Sequence, residues 1–228
     1  MLKSGIDQEA LIEMFSTASA KQTEQLRKAV GEATLKALQG REMSLKNIRG
    51  VIKTVTEAAS AGAAKSPLPQ VDVGTMLDTA VAGMDDALLK AVDANRMALE
   101  QFVGQGVSLQ DKQLKKAMSD LEKFEDTLFD TVKKAAGGAA ATPLAGPWAE
   151  VLGKMEKGGS LSGAQAMATV EQMTSQMQTA MRDTRAASLK AAQALAESYT
   201  ALVSGVLIGM SDALRQGGNA PSKPAGKK

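Results

Sequence analysis

The sequence predicts an all-α protein, an elongated helical bundle in which two helical hairpin regions pack against one long C-terminal helix. Three observations carry this expectation. Apolar residues recur at three- and four-residue spacing through most of the chain. Strand signals are scarce, with 3% aromatics, little Val/Ile alternation and no Asn-Gly turn. Finally, 39 of the 228 residues are Ala, the strongest helix former. Apolar residues total 44%, but so much of that is Ala that the larger side chains suffice for stripes along helices, not for a wide core.

The elements follow in order. Residues 1–66 form an N-terminal helical segment. Asp7 caps a first helix whose apolar positions are Leu11, Phe15, Leu26, Val30 and Leu38, until Gly40 interrupts it. Ser44 caps a second, with Leu45, Ile48, Ile52, Val55 and Ala59 on one face. Pro67 and Pro69 forbid its continuation. Residues 70–137 are expected to form an antiparallel hairpin. Its first helix opens at Asp72 and carries Met76, Val81, Met84, Leu88, Val92, Leu99 and Phe102; its second opens at Ser108 and carries Leu114, Met118, Leu121, Leu128 and Val132. Residues 138–161 read as a flexible connector with a short helix near Trp148–Met155. Residues 162–216 read as one long helix without a proline, and 217–228 as a disordered basic tail. Ala-Gly-Met-Asp-Asp-Ala-Leu at 82–88 is echoed by Ile-Gly-Met-Ser-Asp-Ala-Leu at 208–214, which good helical packing sequences in an Ala-rich chain account for.

Composition narrows the chemistry. The chain has no His, which removes the commonest general base and metal ligand, and no Cys, which removes disulfides and thiolate chemistry. Glu122, Asp126 and Asp130 share a helical face, but a dimetal bundle would pair such carboxylates with Glu-x-x-His, so they read as a solvated charged face. No glycine-rich stretch has the phosphate-loop pattern. No catalytic residue, cofactor or metal is expected, and the protein is read as non-enzymatic. Net charge is +2. Residues 67–136 hold eight basic against twelve acidic side chains, whereas the last twelve residues hold three Lys and no acid. Nucleic acid is therefore not an expected partner. Asp7, Glu9 and Glu13 fall where a secretory signal needs an unbroken apolar run. The uncharged run Ser198–Ser211 is 14 residues, short of the roughly 20 that span a bilayer. A cytoplasmic location is expected, with granule- or membrane-surface association open.

Three features suit binding. Met167, Val170, Met173, Met177 and Met181 lie along a nearly uncharged half of the long helix, and Met adapts to varied apolar surfaces. Leu202, Val206, Leu207 and Met210 belong to an apolar run in which Gly205 and Gly209 form a small-xxx-small pair. Lys46, Arg49 and Lys53 lie opposite an apolar stripe, as on helices that rest on anionic surfaces, and Lys223, Lys227 and Lys228 would assist electrostatic attachment. Each feature has an ordinary counterpart: a core stripe, a buried helix crossing, a solvated face.

Four segments, SLKNIRGVIKTV (44–55), AVAGMDDALLKA (80–91), DLEKFEDTLFDTVKKAA (120–136) and GVLIGMSDAL (205–214), together resemble an uncharacterised family of all-helical proteobacterial proteins, a domain of unknown function. That resemblance implies an all-helical fold and no catalytic or ligand residues. In composition the chain is also similar to phasins, the helical proteins that coat polyhydroxyalkanoate granules. The resulting expectation is attachment of amphipathic helices to an apolar surface, storage granule or lipid. The alternative is a structural or scaffolding bundle acting through homo-oligomerisation or protein partners.

Overall fold

A computed structural model describes residues 6–17, 23–39, 44–66, 70–104, 112–138, 142–183 and 199–217. Among these residues the protein is all helical, with no strand. The helices are α1 (Gln8–Thr17), α2 (Thr23–Leu38), α3 (Leu45–Lys65), α4 (Gln70–Gly104), α5 (Lys112–Glu122), α6 (Phe124–Gly137), α7 (Ala145–Gly158), α8 (Leu161–Asp183) and α9 (Tyr199–Gly217).

The expected caps are in place. The Asp7 carboxylate accepts from the Ala10 amide at 3.1 Å, and the Ser44 hydroxyl from the Asn47 amide at 3.4 Å. At the far end of α3, Ser66 is extended (φ −70°, ψ 136°), as the residue before a proline is pushed to be. The α3 stripe is buried as its spacing demands, from Ile48 through Val55 to Ala63.

Helix α4 is the centre of the bundle. Its 35 residues lean on α2, α3, α7, α8 and α9, so apolar side chains are buried around much of its circumference. Ala80, Ala87, Ala91, Ala94 and Ala98 are all buried, and such short side chains let neighbouring axes approach closely. The closest approach is at Gly83, where a Cβ would stand 2.3 Å from the Arg27 carbonyl oxygen of α2. Beside that crossing, Arg27 Nε and Nη2 donate to the two oxygens of Asp86 at 2.6 and 2.9 Å. The hydrogen bond to Asp86, then its charge, hold the guanidinium above its ordinary pKa. Gly62 of α3 is a second close approach, against Phe15 of α1.

Four expectations are corrected. The stretch from Asp7 to Leu38 contains two helices with different partners, α1 on α3 and α2 on α4. The segment read as a single helix up to Gly137 is interrupted at Lys123 (φ −95°, ψ 4°), although the flanking bonds from Lys123 to Ser119 and Thr127 to Lys123 survive. The two halves serve different neighbours, α5 chiefly α8, and α6 chiefly α3. The expected hairpin with α4 is thus replaced by these pairings. The start predicted at Ser108 lies outside the described residues. The supposed connector contains the 14-residue α7, whose Trp148 is 2% exposed and donates to the Ser60 hydroxyl of α3 at 3.0 Å. Last, α8 and α9 are two separate helices. Helix α8 runs in the same direction as α4, with Leu161 beside Asp85 and Gln172 beside Glu100. A straight continuation would carry Tyr199 about 40 Å past Gln172. Instead the Tyr199 ring meets Phe102 edge-on at 5.2 Å, and its hydroxyl donates to the buried Asn95.

Candidate functional site

The residues proposed for binding divide sharply by position. On α8 the inner positions are Ser162, Ala166, Thr169, Met173 and Met177, spaced by four or three residues and facing the body of the bundle. Met173 is 0% exposed and Met177 6%. Val170 is half-buried and Met167 exposed, while the side chain of Met181 lies outside the described set. On α9, Leu207 is fully buried, and Leu202, Val206 and Met210 are half-buried against the core. Among the described residues, Met167 apart, these apolar positions therefore point inward and join into no outer face. Among the described residues, the large apolar side chains left exposed are Met97, Leu161, Met167 and Ile208, single positions on three helices.

The sequence echo shows how context decides. Gly83 is crushed against α2, whereas Gly209 has no heavy atom near its would-be Cβ and is exposed. The same heptapeptide pattern makes a helix crossing at one site and outer surface at the other.

The basic candidates on α3 are exposed, but they do not form an isolated basic face. Arg49 and Lys53 line a cleft of about 680 Å³ between α3 and α6. The opposite wall carries Lys123, Asp126, Asp130 and Lys134, and Thr127 and Thr131 lie between. Lys53 pairs with Glu57 at 3.7 Å and Lys134 with Asp130 at 3.9 Å, both within one helix and well exposed. Such pairs contribute little to stability. Their effect is a surface of both signs. Lys46 lies on the same exposed side of α3. Lys223, Lys227 and Lys228 lie outside the described residues. Of the three carboxylates read as one face, Glu122 ends α5 and only Asp126 and Asp130 share α6.

A second cleft, about 340 Å³, opens where α6 meets the turn between α7 and α8. Leu128, Phe129 and Met155 line its apolar side and Glu125, Asp126 and Glu156 its acidic side. The Lys133 ammonium lies 5.6 Å from the centre of the Phe129 ring, within cation–π range.

One feature escaped the sequence reading. The first amides of α8 are capped by carboxylates from two other helices. Asp85 of α4 accepts from the Leu161 amide at 2.7 Å, the Ser162 amide at 3.2 Å and the Ser162 hydroxyl. Glu125 of α6 accepts from the Ser160 amide at 3.0 Å, and the Ser160 hydroxyl from the Gly163 amide at 2.9 Å. Negative charge at a helix N-terminus is favourable, and here it also clamps α8 to the body. Further along, Gln165 donates to Asp93 at 2.9 Å and Gln172 to Glu100 at 2.8 Å. No local signal marks these acids, which come from 35 to 77 positions away in sequence.

Among the described residues no three acidic side chains converge to hold a metal ion, and no helix is long and apolar enough to cross a membrane. No curated protein and no solved structure matches the chain. The model of a family described as a family of unknown function (DUF6781) matches residues 1–216, and the chain belongs to that family.

Proposed function

We propose that the protein is a non-enzymatic helical scaffold that acts through protein contacts, further copies of itself included, using its charged outer surface. The burial of Met173 and Met177 is the observation that supports this reading, because these are the side chains a coat for an apolar surface would turn outward. The mixed-charge cleft between α3 and α6 is the surface best suited to a partner. The compositional likeness to phasins supports the rival reading, surface coating, which requires the same faces to be free.

Flotation with anionic liposomes and with polyhydroxybutyrate particles separates the two. The scaffold reading expects the protein to stay in the soluble fraction at low and moderate salt. Binding that survives moderate salt would overturn it. Met177→Glu is the companion test: a charge forced into a closed apolar site costs several kcal/mol, so the variant should melt early, lose its cooperative transition or release α8 from the bundle. A variant that folds like the wild type would place Met177 on an open face and refute the scaffold reading.

A further inference from the structure

We propose that α8 is a strap: it opens as a unit, loosening α5 beside it, while α1–α4, α6, α7 and α9 stay folded, turning about Gly158–Ser160 and uncovering Met173, Met177 and the side of α4 beneath them. This goes beyond the scaffold reading and concerns how the fold itself moves.

Four observations lead to it. First, α8 is held by polar bonds where its neighbours are held by large apolar side chains. Asp85 and Glu125 hold its first turn, Asp93 holds Gln165 and Glu100 holds Gln172. These bonds are exchanged for bonds to water when the helix lifts, so each resists the motion by far less than its strength in isolation. Second, among the described side chains the buried face of α8 begins with Ser162, Ala166 and Thr169, and its large members are Met173 and Met177. Helix α3 by contrast buries Ile48, Val51, Ile52 and Val55. Segments with thin apolar burial open at lower free energy than the whole molecule.

Third, a glycine stands where the strap would turn. Gly159 has φ +66°, the one positive φ among the described residues, and it separates the last bonded turn of α7 from the first of α8. Fourth, two of the four carboxylates that hold α8 are not stranded by its departure. Arg96 already contacts Asp93 at 3.6 Å and Glu100 at 2.7 Å, so both carboxylates keep a counter-ion after the glutamines leave. The core of α4 likewise persists, because α2, α3, α7 and α9 remain packed on it. The opened form presents methionines, which accommodate apolar partners of varied shape.

Hydrogen exchange followed by mass spectrometry on the full chain under native conditions tests the proposal. Peptides from 161–183 should exchange through an opening at least tenfold more populated than the one that exposes α2, α3 and the first half of α4. Asp85→Asn, which keeps the shape but loses the charge, should raise exchange in α8 by a further tenfold or so and leave α2 and α3 unchanged. If α8 exchanges together with α2 and α3, in one step for the wild type, α8 is an ordinary part of the core and the proposal is wrong. Should the Asn variant fail to fold, a second variant decides. The chain has no Cys, so Asp93→Cys with Gln165→Cys can be bridged by a bismaleimide. The bridge should suppress the exchange specific to 161–183. Exchange there that is indifferent to the bridge would overturn the strap.

Discussion

The crossing of α2 over α4 rests on one missing methyl group, and Gly83→Ala restores it. The new Cβ would stand 2.3 Å from the Arg27 carbonyl oxygen and 3.1 Å from two further Arg27 backbone atoms, against 3.4 Å or more for ordinary contact. No side chain can swing away to relieve this, since the obstacle is backbone. Helix α2 must retreat by about 1 Å, loosening contacts along its whole length and misaligning the bidentate pair between Arg27 and Asp86. Overpacking costs about 1–3 kcal/mol and a clash with backbone takes the upper part of that range, about 2–3 kcal/mol; the better helix propensity of Ala recovers about 1 kcal/mol, leaving about 1–2 kcal/mol. At about 2–4 °C per kcal/mol for a chain of this size, the expected fall in Tm is roughly 2–8 °C. Gly50→Ala supplies the control. Gly50 is exposed within α3 and its would-be Cβ meets nothing within 4 Å, so the same substitution should raise Tm by up to about 4 °C. Both are read by calorimetry or by ellipticity on heating. A Gly83→Ala protein that melts at or above the wild type would show that α2 and α4 do not cross here.

Two further outcomes are expected. Tyr199→Phe leaves the buried Asn95 side chain without the Tyr199 hydroxyl and should cost about 1–3 kcal/mol, seen as a lower urea midpoint at unchanged slope; adding Asn95→Leu should recover much of the loss, and no recovery would mean the pair is not buried together. Lys154 is held above its ordinary pKa by its hydrogen bonds to Asp78 and then Glu150, each ammonium–carboxylate contact 3.3 Å. A raised pKa favours the charged form in the folded state, so the contribution is complete below the ordinary lysine range near 10.4 and fades as pH rises through the raised value. The difference in Tm between wild type and Lys154→Met should therefore shrink at strongly alkaline pH, and a difference that grows there would contradict the pairing.

How much of this was legible in the residues depends on the range of the forces involved. Caps and stripes are local, so Asp7, Ser44 and the α3 face from Ile48 to Ala59 are legible by spacing alone. The interruption at Lys123 could not, because no Pro or Gly stands there and the cause is that α5 and α6 answer to different neighbours. Trp148 was assigned to a short helix in a connector; its burial depends on Ser60, 88 positions earlier. The methionines of α8 fit a core stripe and a binding face equally well in sequence. Only the placement of α4 and α5 beside them resolves the choice. The α8 clamp is the extreme case, since an Asp and a Glu on distant helices look like any other surface acids until the chain is folded.

The central position of α4 also sets an order of events during synthesis. Helix α1 finds its partner, α3, within the first 65 residues to be made. Helix α2 has to wait for α4, whose 35 residues form a rod roughly 52 Å long that is not complete until residue 104 has emerged. In that interval α3 and α1 cover only part of α2, which bears Leu26, Val30 and Leu38, and a nascent chain in this state exposes apolar surface to whatever is nearby. A nascent chain halted with residues 66–104 still emerging would hold α2 half covered, a surface the finished bundle conceals.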